Sequence, residues 1–116
     1  MNQAFDEQEL TEELDGDLEF LAESLEILDE DSVTLIAQLR QAYEANDAET
    51  VAVTAHTLKS MVGNFSAEPA FEAAFAVEKL GRAGNLESCA QAIDELDSQT
   101  GRLREALHEF LRSAGG

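Results

Sequence analysis

Val51-Ala52-Val53-Thr54-Ala55-His56-Thr57-Leu58-Lys59-Ser60-Met61-Val62-Gly63-Asn64-Phe65 is the stretch whose reading decides the fold. Val51, Ala55, Leu58, Val62 and Phe65 recur at the three- and four-residue spacing that puts side chains on one face of an α-helix. That stripe is the expected core contact. His56, Lys59, Ser60 and Gly63 form a second stripe, about a third of a turn or less from the first. His56 is therefore expected at the edge of the core, open to solvent. Imidazole titrates near neutrality, so a solvent-facing histidine offers an unprotonated nitrogen able to attack an electrophilic phosphorus. Lys59, one turn on, can neutralise a transferred anionic group as a point cation. Ala52, Ser60 and Gly63 are small and leave room for another protein to approach the ring. The plain alternative is a helix-surface histidine beside small residues used for helix packing.

The same period runs outward from this helix in both directions. Asp6 followed by Glu9 resembles a capping pair, and a short helix from about Asp6 to Leu14 would lay Phe5, Leu10 and Leu14 over the rest as a lid, ending at Gly16. Leu18, Leu21, Leu25 and Leu28 follow. After the acidic turn Asp29-Glu30-Asp31-Ser32 the pattern resumes with Leu35, Ile36, Leu39 and Tyr43, giving either two helices or one kinked helix. Asn46-Asp47 supplies a stop and a new cap for the His56 helix, which runs to about Gly63 or Asn64. Ser66 is the next candidate cap, with Pro69 in the first turn where a missing donor is tolerated. Phe71, Ala74, Phe75 and Glu78 continue on one side to the stop at Gly84-Asn85. The last helix carries Leu86, Cys89, Ile93, Leu96, Leu103, Leu107 and Phe110 in a nearly heptad stripe. The expected fold is all-α: an antiparallel four-helix bundle with a short N-terminal covering helix. One domain over residues 1–116 is expected, with a frayed, flexible tail at 113–116.

Composition removes several functions. The chain has 25 acidic and 7 basic residues for a net charge of −18, which repels nucleic acid and anionic membranes. No run reaches the roughly 18 apolar residues of a membrane span, and the N-terminus lacks a signal pattern, so a cytoplasmic protein is expected. Cys89, the one cysteine, falls on an apolar stripe and is expected to be a small buried side chain. A di-iron bundle would need two Glu-x-x-His motifs, but only Glu105 to His108 has that spacing. The turn at Asp29-Glu30-Asp31 lacks the ligand alternation and glycine of a calcium loop and is expected to be solvated. No metal site is expected. No Ser-His-acid or Cys-His arrangement and no phosphate loop can be read, and His108 is expected to be a surface histidine. Charge is also uneven, with 13 acids and no Lys or Arg in the first 39 residues, whereas Thr50 to Ala67 contain no acid.

At these residues the chain resembles the histidine-containing phosphotransfer (HPt) domain family, whose motif runs roughly Ala-His-x-Leu-Lys-Gly, then a further glycine and a Gly-Ala pair. Ala55, His56, Leu58, Lys59, Gly63 and Ala67 match. The likeness continues through Phe71, Ala74 and Val77-Glu78 to Gly84-Asn85. Ser60 and Ser66 stand where the family usually has glycine, and Ser60 bears on partner choice. The resemblance implies that His56 accepts a phosphoryl group from an aspartyl phosphate on one receiver domain, of a response regulator or hybrid histidine kinase, and returns it to another. Under it Lys59 lies near the phosphoryl group, Ala52, Ser60 and Gly63 belong to the docking face, and Mg2+ and the acidic pocket belong to the receiver. The chain would then be a monomeric phosphoryl carrier with no cofactor of its own and no autonomous kinase activity. The acid-free window suits this, since a receiver's carboxylates would be repelled by the remaining surface. A non-catalytic adaptor that docks or sequesters a receiver is the alternative. Met1 favours a free-standing protein over a module of a larger kinase.

Overall fold

The computed structural model describes residues 3–115, so Met1, Asn2 and Gly116 lie outside it, along with the expectations that rest on them. Among the described residues the structure is helical throughout: α1 (Glu7–Leu14), α2 (Leu18–Glu44), α3 (Ala48–Gly63), α4 (Glu68–Ala83) and α5 (Cys89–Gly115). Three starts are fixed by aspartates that accept the exposed third-residue amide of the helix. Asp6 takes Glu9 N at 3.0 Å, Asp17 takes Phe20 N at 2.9 Å and Asp47 takes Thr50 N at 3.1 Å. Asp47 also accepts from the Thr50 hydroxyl at 2.6 Å, and these bonds hold its carboxyl below the usual range.

One open reading is decided in favour of a single helix, and three expectations change. α2 is one continuous helix through the acidic turn, because Ser32 turns inward to the core face while Glu30 and Asp31 stay exposed. Asp29 is not simply solvated: it accepts from Arg104 Nε at 3.2 Å and faces His108 Nε2 at 2.7 Å, tying α2 to α5. Ser66 does not cap α4. It adopts a left-handed φ of 54°, its hydroxyl donates to Glu9 Oε1 at 2.9 Å, and Ala67 holds the cap position without a side-chain bond. Finally, α5 begins at Cys89, so Leu86 sits in the preceding turn, and helical geometry continues through Ser113 and Ala114 to Gly115, beyond the expected end at Arg112.

The long helices close a ring, with α2 and α4 each packed against both α3 and α5. Inside it Leu28, Leu39, Val51, Ala55, Leu58, Val62, Val77, Leu96, Leu103 and Leu107 are fully buried, and their removal from water is the main stabilising term. Cys89 is buried among them, where burial pushes its thiol up. α1 covers one end. Phe5 packs edge-on against Phe110 at 5.7 Å, Leu10 is buried, and Asp6 N donates to Ser66 O at 2.9 Å.

α3 and α4 approach each other closely at Gly81, which has no side chain to hold the helices apart. A Cβ there would lie 2.7 Å from Ala52 N. That approach brings α4 side chains under the exposed flank of α3. Among the described residues no helix is long and apolar enough to cross a membrane.

Candidate functional site

His56 projects from the middle of α3 with its ring about half exposed, at 53%. Leu58 and Ala55 on the adjoining face are fully buried, so the backbone under the ring is held by the core. Beneath it lies Glu78 of α4, whose side chain is only 4% exposed. The Glu78 carboxylate takes in three cationic or proton-bearing neighbours. Oε2 lies 3.0 Å from His56 Nδ1, 2.6 Å from Arg82 Nη2 and 3.0 Å from Arg82 Nε, and Oε1 lies 2.7 Å from Lys59 Nζ.

Burial alone would raise the Glu78 carboxyl, but the hydrogen bonds from Lys59, Arg82 and His56 outweigh it and hold the group at about 2. Glu78 is therefore ionised at neutral pH and can only accept. A neutral imidazole beside such an acceptor places its single proton on Nδ1, leaving the Nε2 lone pair unprotonated. No described residue bonds to Nε2. The arrangement is that of an oriented nucleophile with the open nitrogen outward and the supporting carboxylate inward.

Lys59 is mostly covered, at 18% exposed, and is held by more than Glu78. Its ammonium stands 4.8 Å from the Phe75 ring centroid and 5.8 Å from that of Phe71, within cation–π range. Its charge is thereby fixed one turn from His56. Ser60 and Gly63 are exposed on the same flank, as expected. Ala52 is not: it is buried against α4 at Gly81, so its small size serves the helix contact and leaves no surface for a partner. Val53 takes a place on the outer face instead, 61% exposed.

Glu78 and Arg82 carry no role that the sequence alone reveals. Glu78 follows Val77 on the face of α4 that also buries Ala70, Ala74 and Gly81, and an acid on an apolar face is a signal for a buried ion pair. Arg82, four residues on, is the matching cation. The stretch from Thr50 to Ala67 is free of acid only along the chain, because α4 supplies a carboxylate to the same face. His108 stands apart, engaged with Asp29. Among the described residues no three His, Cys, Asp or Glu side chains gather in a way that could hold a metal ion.

Compared with known families, residues 8–111 match the model described as the Hpt domain, a span that includes His56, Lys59, Glu78 and Arg82. No curated protein and no solved structure matches the chain.

Proposed function

Because the chain belongs to the Hpt domain family, we propose that it is a phosphoryl carrier of a two-component phosphorelay, with His56 as the acceptor. The observation that carries this reading is the His56 ring itself, bound at Nδ1 by an ionised, buried Glu78 and open at Nε2. In the proposed step Nε2 attacks the phosphorus of a receiver's aspartyl phosphate. An N–P bond forms as the acyl P–O bond breaks, and its electron pair leaves with the aspartate carboxylate. The product ring keeps its Nδ1 proton and gains positive charge, which Glu78 stabilises at 3.0 Å. Lys59, held as an ion pair 2.7 Å from Glu78 Oε1, offers its ammonium charge to the phosphoryl oxygens. The reverse sequence passes the group to a second receiver.

Catalysis in this proposal belongs to the complex, through positioning and charge neutralisation, with Mg2+ in the receiver and no kinase activity in the chain alone. Ser60 and Gly63 would meet the receiver. We take the protein to be a monomeric, cytoplasmic, antiparallel four-helix bundle with α1 covering one end, forming one domain.

The test mixes the chain with a 32P-labelled receiver and Mg2+. Label is expected on the wild-type protein and not on His56→Gln. Label on both would remove His56 from the mechanism. Receiver binding without transfer in the wild type, unchanged in His56→Gln, would support the adaptor instead.

A further inference from the structure

Both lysines of this strongly acidic chain stand at one aromatic ring. Phe75 on α4 is 37% exposed, with Lys59 Nζ 4.8 Å from its centroid and Lys79 Nζ 4.6 Å from it. The two cations differ in what else they touch. Lys59 is mostly covered and paired with Glu78, whereas Lys79 is exposed and makes no ion pair with any described residue. Arg40, Arg82, Arg104 and Arg112 each face a carboxylate. With 25 acids in the chain, a lysine left with its ammonium donors open, on the ring that also seats Lys59, is not acting in internal charge pairing.

We propose that Lys79, held over Phe75, forms with Lys59 and Arg82 a cationic entry patch that guides the anionic, aspartyl-phosphate-bearing face of a receiver domain onto His56. The inference rests on the phosphoryl-carrier reading above. An acyl phosphate is anionic at neutral pH, and a chain with a net charge of −18 repels it at long range. Productive encounter therefore needs a local reversal of sign, which acts mainly on the association rate. The patch supplies it on the flank that carries the nucleophile: Lys59 is shared by the ring and by Glu78, and Glu78 holds His56 and Arg82. Phe75 fixes where the Lys79 charge stands and adds an apolar contact beside it. Lys79 thus acts on partner capture and Lys59 on the transferred group.

The experiment measures transfer from a labelled receiver to the full chain for wild type, Lys79→Gln, Lys79→Glu and Arg112→Gln. Arg112→Gln removes the same charge from the far end of α5. With a partner charge of roughly −1.5 at about 8 Å in water, neutralising Lys79 should lower kcat/KM about 3-fold and reversing it about 10-fold at low ionic strength. The maximal rate should not change, and the difference should collapse near 0.5 M salt, where the screening length is roughly 4 Å. Arg112→Gln should behave as wild type. If label reaches His56 but the Lys79 variants match wild type, or Arg112→Gln falls as far as Lys79→Gln, the entry patch is overturned and the carrier reading stands. A lowered maximal rate at saturating receiver also overturns it, since the residue would then act on the chemistry. Failure of any label to reach wild type from the receivers of the source organism overturns the carrier reading and the patch with it.

Discussion

Replacing Glu78 by glutamine removes one charge from the centre of the site at nearly constant shape. The carboxyl is held at about 2 against an ordinary 4.5. At about 1.4 kcal/mol per pH unit this difference makes the ionised group worth roughly 3 kcal/mol to the folded state at pH 7. The glutamine carbonyl still accepts from Lys59 or Arg82, and Arg82 is largely in solvent, so a net loss of about 2 kcal/mol is expected, or near 10 °C in Tm for a chain of this size. The folded-state value is depressed, so the stability is fully present above pH 4.5 and is lost as pH falls through the range from 4.5 to about 2. Denaturant midpoints of wild type and Glu78→Gln should therefore be well separated at pH 7 and should converge on acidification below pH 4.5. The glutamine amide can also donate to His56 Nδ1, which would move the ring proton to Nε2 and abolish the nucleophile; 15N shifts of the ring report this directly. Equal stability at pH 7, or a gap that stays constant from pH 7 to pH 3, would show that Glu78 is not held ionised by Lys59, Arg82 and His56.

Two other outcomes follow from the packing. Gly81→Ala places a Cβ 2.7 Å from Ala52 N, so α3 and α4 must separate; a loss of about 1–3 kcal/mol is expected, together with slower phosphoryl transfer because Glu78 moves away from His56. Full stability in this variant would show that the helices do not need the close approach. Cys89 is buried and its thiol is pushed up, so alkylation at pH 8 should be negligible in the native protein and stoichiometric in denaturant. Rapid native labelling would contradict the packing of the α5 start.

The helices were legible where one chain segment carries its own signal. Val51, Ala55, Leu58 and Val62 announce α3, and Asp6 and Asp47 announce the helix starts, because periodicity and capping are local. What was misread depends on contacts between helices. Asp29-Glu30-Asp31 looks like an interruption until Arg104 and His108 of α5 are opposite Asp29. Ser66 has the chemistry of a cap, but its hydroxyl is drawn to Glu9 of α1. Ala52 beside His56 reads as space for a partner, yet the residue that fills that space is Gly81. Glu78 illustrates the same limit at the site. It lies 22 residues from His56, and no helical period relates positions on two helices. Its place among Ala74, Val77 and Gly81 was visible, whereas the identity of its partners required the α3–α4 register.

The most direct test of the account locates the phosphorus after transfer. The 15N-labelled protein is mixed with a phosphorylated receiver and Mg2+, and coupling between 31P and the ring nitrogens identifies the bonded atom. A single phosphoryl group is expected on His56 Nε2, with Nδ1 still protonated toward Glu78. Phosphorus on Nδ1, on His108 or on no histidine would contradict it.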